Sequence, residues 1–178
     1  MDEVGDPVPQ GHAPPALYLV PYNKAAKQVT ADPNNNYFQT QLPNGVQALY
    51  ISFANPEKQG FTLGRADTDI FIPDPRGADI SKQQCSFINT ERDAVLLEDT
   101  SGKRNTEPYS SSNGGQTIGF AKEQRCVLVA RGINNMIGIG RERYYQFEIH
   151  WESDGLYDFP DKDGNTRRAR RRVGKRDT

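Results

Sequence analysis

Between residues 48 and 151 the chain is a succession of short apolar runs, each closed by turn-forming residues. The runs fall at 48–53, 61–63, 70–72, 85–88, 94–97, 126–129, 136–139 and 144–151, with a weaker one at 116–120. Gly, Pro, Asn, Asp or Ser stands between the stronger runs, so turns recur at roughly 8–12 residues. Runs this short read as strands, because a helix needs about ten residues or more to bury a face. In the last run Tyr145, Phe147, Ile149 and Trp151 alternate with polar residues, giving one face for a core and one for water. Antiparallel sheets built from many such strands pack face to face as a β-sandwich. Earlier in the chain, residues 16–22 read as a strand in which Pro21 marks a sheet edge or the strand's end. Residues 23–45 are polar and carry turn signals at Asn34-Asn35-Asn36 and Asn44-Gly45, with a short strand at 37–40. No segment sustains a helical period.

At 178 residues the chain fits one domain of this kind with tails. Its apolar content of 35% leaves a sizeable minority outside the core. Residues 1–15 hold four prolines and two glycines and read as a disordered lead. Residues 16–152 are the sandwich. Residues 153–178 are polar and read as a basic linker or tail. The charge divides in the same way. Over residues 1–160, 14 Lys+Arg against 20 Asp+Glu give −6, and over residues 161–178, 8 against 3 give +5. No apolar stretch reaches the length of about eighteen residues that a membrane helix needs. Cys85 and Cys126 each lie in an apolar run and are expected to be buried thiols in a reducing compartment. An intracellular protein is the simplest account.

The residues that carry chemistry lie at the ends of these runs. Gly64-Arg65 closes one strand; Ser81-Lys82-Gln83-Gln84-Cys85 opens another sixteen residues later; Asp99-Thr100-Ser101 follows eighteen residues after Ser81. Arg65 offers a planar guanidinium that grips two phosphate oxygens at once, Ser81 a hydroxyl for a third, and Lys82 a cation at the rim. Alone, Arg65 would read as a surface arginine; with Ser81-Lys82 in sequence it reads as a phosphate ligand. Gly140-Arg141 also follows a strand, but no Ser-x-x-Gln comes after it, and it reads as a hairpin turn. Catalysis finds no support. Asp99-Thr100-Ser101-Gly102 is one imperfect copy of an element that aspartic proteases need twice. His12 and His150 lack ligand spacing, and Gly114-Gly115 has no Gly-Lys-Ser context, so neither metal nor cofactor is expected.

The ordered trio of motifs resembles the forkhead-associated domain, whose pattern is Gly-Arg, then Ser-x-x-His, then Asp-x-Ser-x-Asn-Gly-Thr. The likeness covers about residues 16–152. It implies an all-β, two-sheet antiparallel β-sandwich of about eleven strands, with binding loops at one end, that takes phosphothreonine-containing peptides or proteins. By the resemblance, Arg65, Ser81 and Lys82 contact the phosphate and the peptide beside it. Gly64, Gln84, Asp99 and Ser101 support the site, with Gly64 allowing a tight turn at the strand end and Gln84 replacing the family's His. The family's peptide-reading Asn should fall at Lys103. Either a two-residue insertion lets Asn105 serve, or Arg104 and Lys103 read the peptide. Such domains commonly belong to longer signalling proteins, often with a kinase, so a catalytic region could follow residue 178.

Two other readings stand beside this one. The first is an interaction module of the same fold that needs no phosphate. The second rests on the seven basic residues from Arg167 to Arg176, which suit a nuclear address or a weak, non-specific contact with nucleic acid. No membrane contact is expected.

Overall fold

Alternation in the sequence becomes alternation in burial. In β11 (Tyr145–Trp151) every second residue, from Tyr145 to Trp151, is buried and those between are half-buried. β7 (Ala94–Asp99) does the same with Val95, Leu97 and Asp99. The structure, a computed structural model, describes residues 14–92, 94–111, 125–130 and 134–152. The expected lead, the basic tail, His12 and the weak run at 116–120 lie outside the described residues.

Among the described residues eleven strands form two sheets. One holds six strands in the order β2 (Gln39–Gln41), β3 (Gln47–Ser52), β1 (Ala16–Pro21), β11, β10 (Met136–Ile139) and β8 (Thr106–Tyr109). The other holds five, in the order β5 (Ile70–Phe71), β4 (Gly60–Gly64), β6 (Cys85–Arg92), β7 and β9 (Cys126–Ala130). Their inner faces meet in one core. Leu17, Leu19, Leu49 and Ile51 come from the first sheet, and Phe61, Leu63, Phe87 and Leu97 from the second. Burying each such side chain contributes about 1.5–3 kcal/mol. Phe38, Phe61 and Phe53 add an edge-to-face row with centroids 5.9 and 5.2 Å apart.

The structure departs from the sequence reading in five places. An α-helix, α1 (Lys24–Thr30), stands where only polar turns are predicted. Seven residues are too few to show a period, but Asn23 caps it by accepting the Ala26 N–H at 3.0 Å. A 3₁₀ turn, Pro33–Phe38, follows and takes the first half of the predicted strand at 37–40. β8 has no apolar run to announce it; it lies at a sheet edge, where Pro108 is tolerated. β5 runs parallel to β4, so the sandwich is antiparallel except at that pair. Cys85 is buried, but Cys126 is exposed, because β9 is an edge strand and Cys126 points away from the core. Pro21 ends β1, which lies inside its sheet between β3 and β11. Gly140, at φ 90°, begins the connection from β10 to its antiparallel partner β11, the hairpin turn expected there.

Candidate functional site

The residues singled out in the sequence converge where β4 ends, β6 begins, β7 ends and β8 begins. Gly64 brings the first two segments together. A Cβ on Gly64 would stand 2.0 Å from the carbonyl oxygen of Lys82, a distance no side chain can occupy. The expected reason for this glycine, a tight turn, is therefore corrected: Gly64 has no left-handed φ, and close approach of two backbones is what excludes a side chain. Three hydrogen bonds hold the approach. Arg65 N–H donates to Ser81 O at 3.2 Å, Ala66 N–H to Lys82 O at 3.3 Å and Gln84 N–H to Leu63 O at 2.8 Å.

Arg65 is anchored at the root of its guanidinium. Its Nε donates to the carbonyl of Ile80 at 3.0 Å, and Asp74 Oδ2 lies 4.0 Å from the same nitrogen. Among the described residues the two terminal nitrogens have no hydrogen-bond partner, and the side chain is 41% exposed. One edge of the fork is spent on fixing its direction while the other remains available. Ser81 is half-buried, and its Oγ accepts the N–H of Gly102 at 3.1 Å, which leaves the hydroxyl proton for another acceptor. Lys82 is exposed beside it.

Below these groups lies a closed polar network. Gln84 is fully buried. Its Oε1 accepts the Ser81 N–H at 2.9 Å, and its Nε2 donates to Asn105 Oδ1 at 2.7 Å and to Thr106 Oγ1 at 2.9 Å. One side chain thus ties the segment before β6 to the start of β8, using one acceptor and both amide hydrogens. Asp99, 4% exposed, organises the next loop. Its Oδ1 accepts from Ser101 N–H at 3.0 Å and Ser101 Oγ–H at 2.6 Å, and its Oδ2 from Thr106 N–H at 3.4 Å. Ser101 Oγ in turn accepts the N–H of Asn105 at 3.1 Å. Asn105 Nδ2 donates to the carbonyl of Asp79 at 2.8 Å, so this amide bridges Gln84 and the loop before β6. Arg104 is exposed and sits at φ 50°, a left-handed conformation unusual for arginine.

The candidate residues Gly64, Arg65, Ser81, Gln84, Asp99, Ser101 and Asn105 are therefore joined by direct contacts, with Lys82, Lys103 and Arg104 exposed on the same loops. The sequence reading missed Arg125, whose Nη1 donates to the carbonyls of Asp99 at 3.3 Å and Ser101 at 3.1 Å. No spacing rule points to it. Thr100, named in the motif but given no role there, donates its hydroxyl to Gln83 O at 3.0 Å and its N–H to Gln84 O at 3.1 Å. Cys85 lies next to this network, but burial, together with the charge of Asp99, pushes its thiol far above the ordinary range. It remains a neutral packing residue. Among the described residues no group of three or more His, Cys, Asp and Glu could hold a metal ion. His150 faces Glu148, its neighbour on β11, at 2.7 Å. No helix among the described residues is long and apolar enough to cross a membrane.

No family model matches the chain, and no curated protein matches it. Among solved structures it is similar to the FHA domain of the CT664 protein from Chlamydia trachomatis. The two share 14% identity over 77% of this chain and 96% of that one, with a TM-score of 0.43.

Proposed function

We propose that this chain is a phosphothreonine-dependent peptide-binding module of the forkhead-associated type, without catalytic activity of its own. The observation that carries the reading is the half-used guanidinium of Arg65. Its Nε is fixed on Ile80 O, while its terminal nitrogens stay available next to the Ser81 segment. A planar fork, a hydroxyl and the Lys82 ammonium suit a phosphate dianion better than any neutral group. The network through Gln84, Asp99, Ser101 and Asn105 holds these groups before a ligand arrives, so ordering costs fall on the peptide. Charge-assisted hydrogen bonds contribute about 1.5–3 kcal/mol each. Two or three of them give roughly 3–9 kcal/mol before the cost of ordering the peptide, so the phosphate contacts by themselves give a dissociation constant no tighter than about micromolar. The preference for threonine over serine comes from the family resemblance.

The partner is a phosphorylated protein. The basic residues from Arg167 to Arg176 suit a nuclear address and a weak auxiliary contact with nucleic acid. The test is titration calorimetry with a phosphothreonine peptide and its unphosphorylated twin. Wild type binds only the phosphorylated form. Arg65→Ala abolishes binding, and Arg65→Lys recovers little of it, because a point charge cannot reproduce the two-pronged contact. Ser81→Ala weakens it by roughly 1–2 kcal/mol. Unchanged affinity in Arg65→Ala would sink the proposal and favour a phosphate-independent interface.

A further inference from the structure

We infer that Arg125 is a positioning residue for the phosphate site, acting on Ser81 through the peptide group that joins Ser101 to Gly102. The inference rests on the proposed phosphopeptide reading and adds to it a residue far from the phosphate-binding motifs in sequence. That peptide group is held from both ends. Its carbonyl, Ser101 O, accepts from Arg125 Nη1 at 3.1 Å. Its N–H, on Gly102, donates to Ser81 Oγ at 3.1 Å. In a trans peptide the carbonyl and the N–H point in opposite directions. The guanidinium and the serine hydroxyl therefore lie at opposite edges of one rigid plane, and fixing one end fixes the other.

Two effects follow. The first is geometric. Arg125 Nη1 also holds Asp99 O at 3.3 Å, and the Asp99 carboxylate grips Ser101 through its N–H and hydroxyl. The Ser101–Gly102 plane cannot swing without breaking several contacts. The second is electronic. A cation on the carbonyl polarises the amide and strengthens its N–H as a donor, as in any chain of hydrogen bonds. With one Ser81 lone pair occupied by Gly102, the hydroxyl proton turns to the other side, where a phosphate oxygen bound to Arg65 would accept it.

Arg125 can be changed without dismantling the sheet. It precedes β9, is exposed, and its own carbonyl accepts the Asp99 N–H at 2.7 Å whatever its side chain is. The experiment is a double-mutant cycle in the full chain. The probe is the phosphothreonine peptide that wild type selects from a degenerate library. Melting curves verify that each variant is folded, and Arg125→Gln, which keeps a neutral donor, stands in if Arg125→Ala is not.

Arg125→Ala is expected to weaken the peptide roughly tenfold, as for one charge-assisted hydrogen bond felt at second hand. Arg125→Lys recovers part of the loss. In a Ser81→Ala background, Arg125→Ala costs less than about a further twofold, because the hydroxyl it orients is gone. A residue that merely stabilised the loop would give losses that multiply. Multiplying losses, or an Arg125→Ala within about twofold of wild type while Arg65→Ala abolishes binding, overturns this inference and leaves the phosphate reading intact. Binding that survives Arg65→Ala overturns both.

Discussion

Gly64 is the residue on which the site's assembly depends. Its hydrogen lies where the carbonyl of Lys82 leaves no room for carbon. Gly64→Ala must push the segment carrying Ser81 and Lys82 off the end of β4. Because the clash is with backbone, no rotamer change relieves it, and we expect a loss of at least about 2 kcal/mol in stability. Chemical denaturation measures this directly; a variant as stable as wild type would contradict the close approach. Asn105 presents the next choice at this scale. Its amide already ties Gln84 to Asp79, so Asn105→Ala should loosen the loop and weaken every phosphothreonine peptide by a similar factor. Arg104, turned outward at φ 50°, should respond to the peptide's own charge. Arg104→Ala is expected to weaken peptides with acidic residues after the phosphothreonine and to spare neutral ones. Calorimetry on both variants with both peptides separates the two roles. That the Arg65 and Ser81 segments would meet was legible in the sequence, because both motifs stand in order at strand ends. Arg125 was not, because a side chain that bonds carbonyls can come from any segment that passes near them.

Elements with an apolar repeat were legible too, and those without one were hidden. β7 and β11 declare themselves by alternation, whereas α1 has seven residues and depends on a cap. The same Asn23 side chain also accepts Gln146 N–H at 3.2 Å and donates to Tyr144 O at 2.9 Å, linking the helix start to β11 across most of the chain. No local pattern encodes such a link. β5 shows the same limit. Just before it, Asp69 ties the chain back to β4: its carboxylate receives Thr62 N–H at 2.9 Å, Thr62 Oγ–H at 3.2 Å and the Lys58 ammonium at 2.9 Å. Burial alone would raise the Asp69 pKa, but Lys58 and Thr62 outweigh it and hold the carboxyl below its ordinary value. A carboxyl depressed in the folded state stabilises the protein above its unfolded pKa of about 4, and that contribution is lost as pH falls through the folded value. Stability should therefore decline in acid, and Asp69→Asn should remove part of that decline while lowering stability at neutral pH. A pH series of denaturation midpoints with the same acid slope in both proteins would refute this.

For the whole molecule, the proposed division into a β-sandwich and a basic tail has a simple expected consequence. A chain ending at residue 152 should melt at the same temperature as the full chain and bind phosphopeptide equally well. It should lose only salt-sensitive binding to nucleic acid, since a run of like charges cannot pack. A fall of several degrees on truncation would show that the tail docks on the sandwich. At this scale the strand rhythm foretold two sheets and a shared core, but not their strand order, because the order is decided by contacts between distant segments. One of those contacts reaches beyond the native state. β1 lies between β3 and β11, and Leu17 pairs with both Ile51 and Trp151. During synthesis β1 leaves the ribosome unpaired, and once β3 has followed it one flank still stays open. At about 5–20 residues per second, it waits on the order of ten seconds for β11 to be made. Throughout that interval its row of unpaired backbone groups, flanked by Leu17, Leu19 and Val20, is an open template for a neighbouring nascent chain. The rate of translation, and not only the final stability, thus bears on how much of this protein reaches its native state.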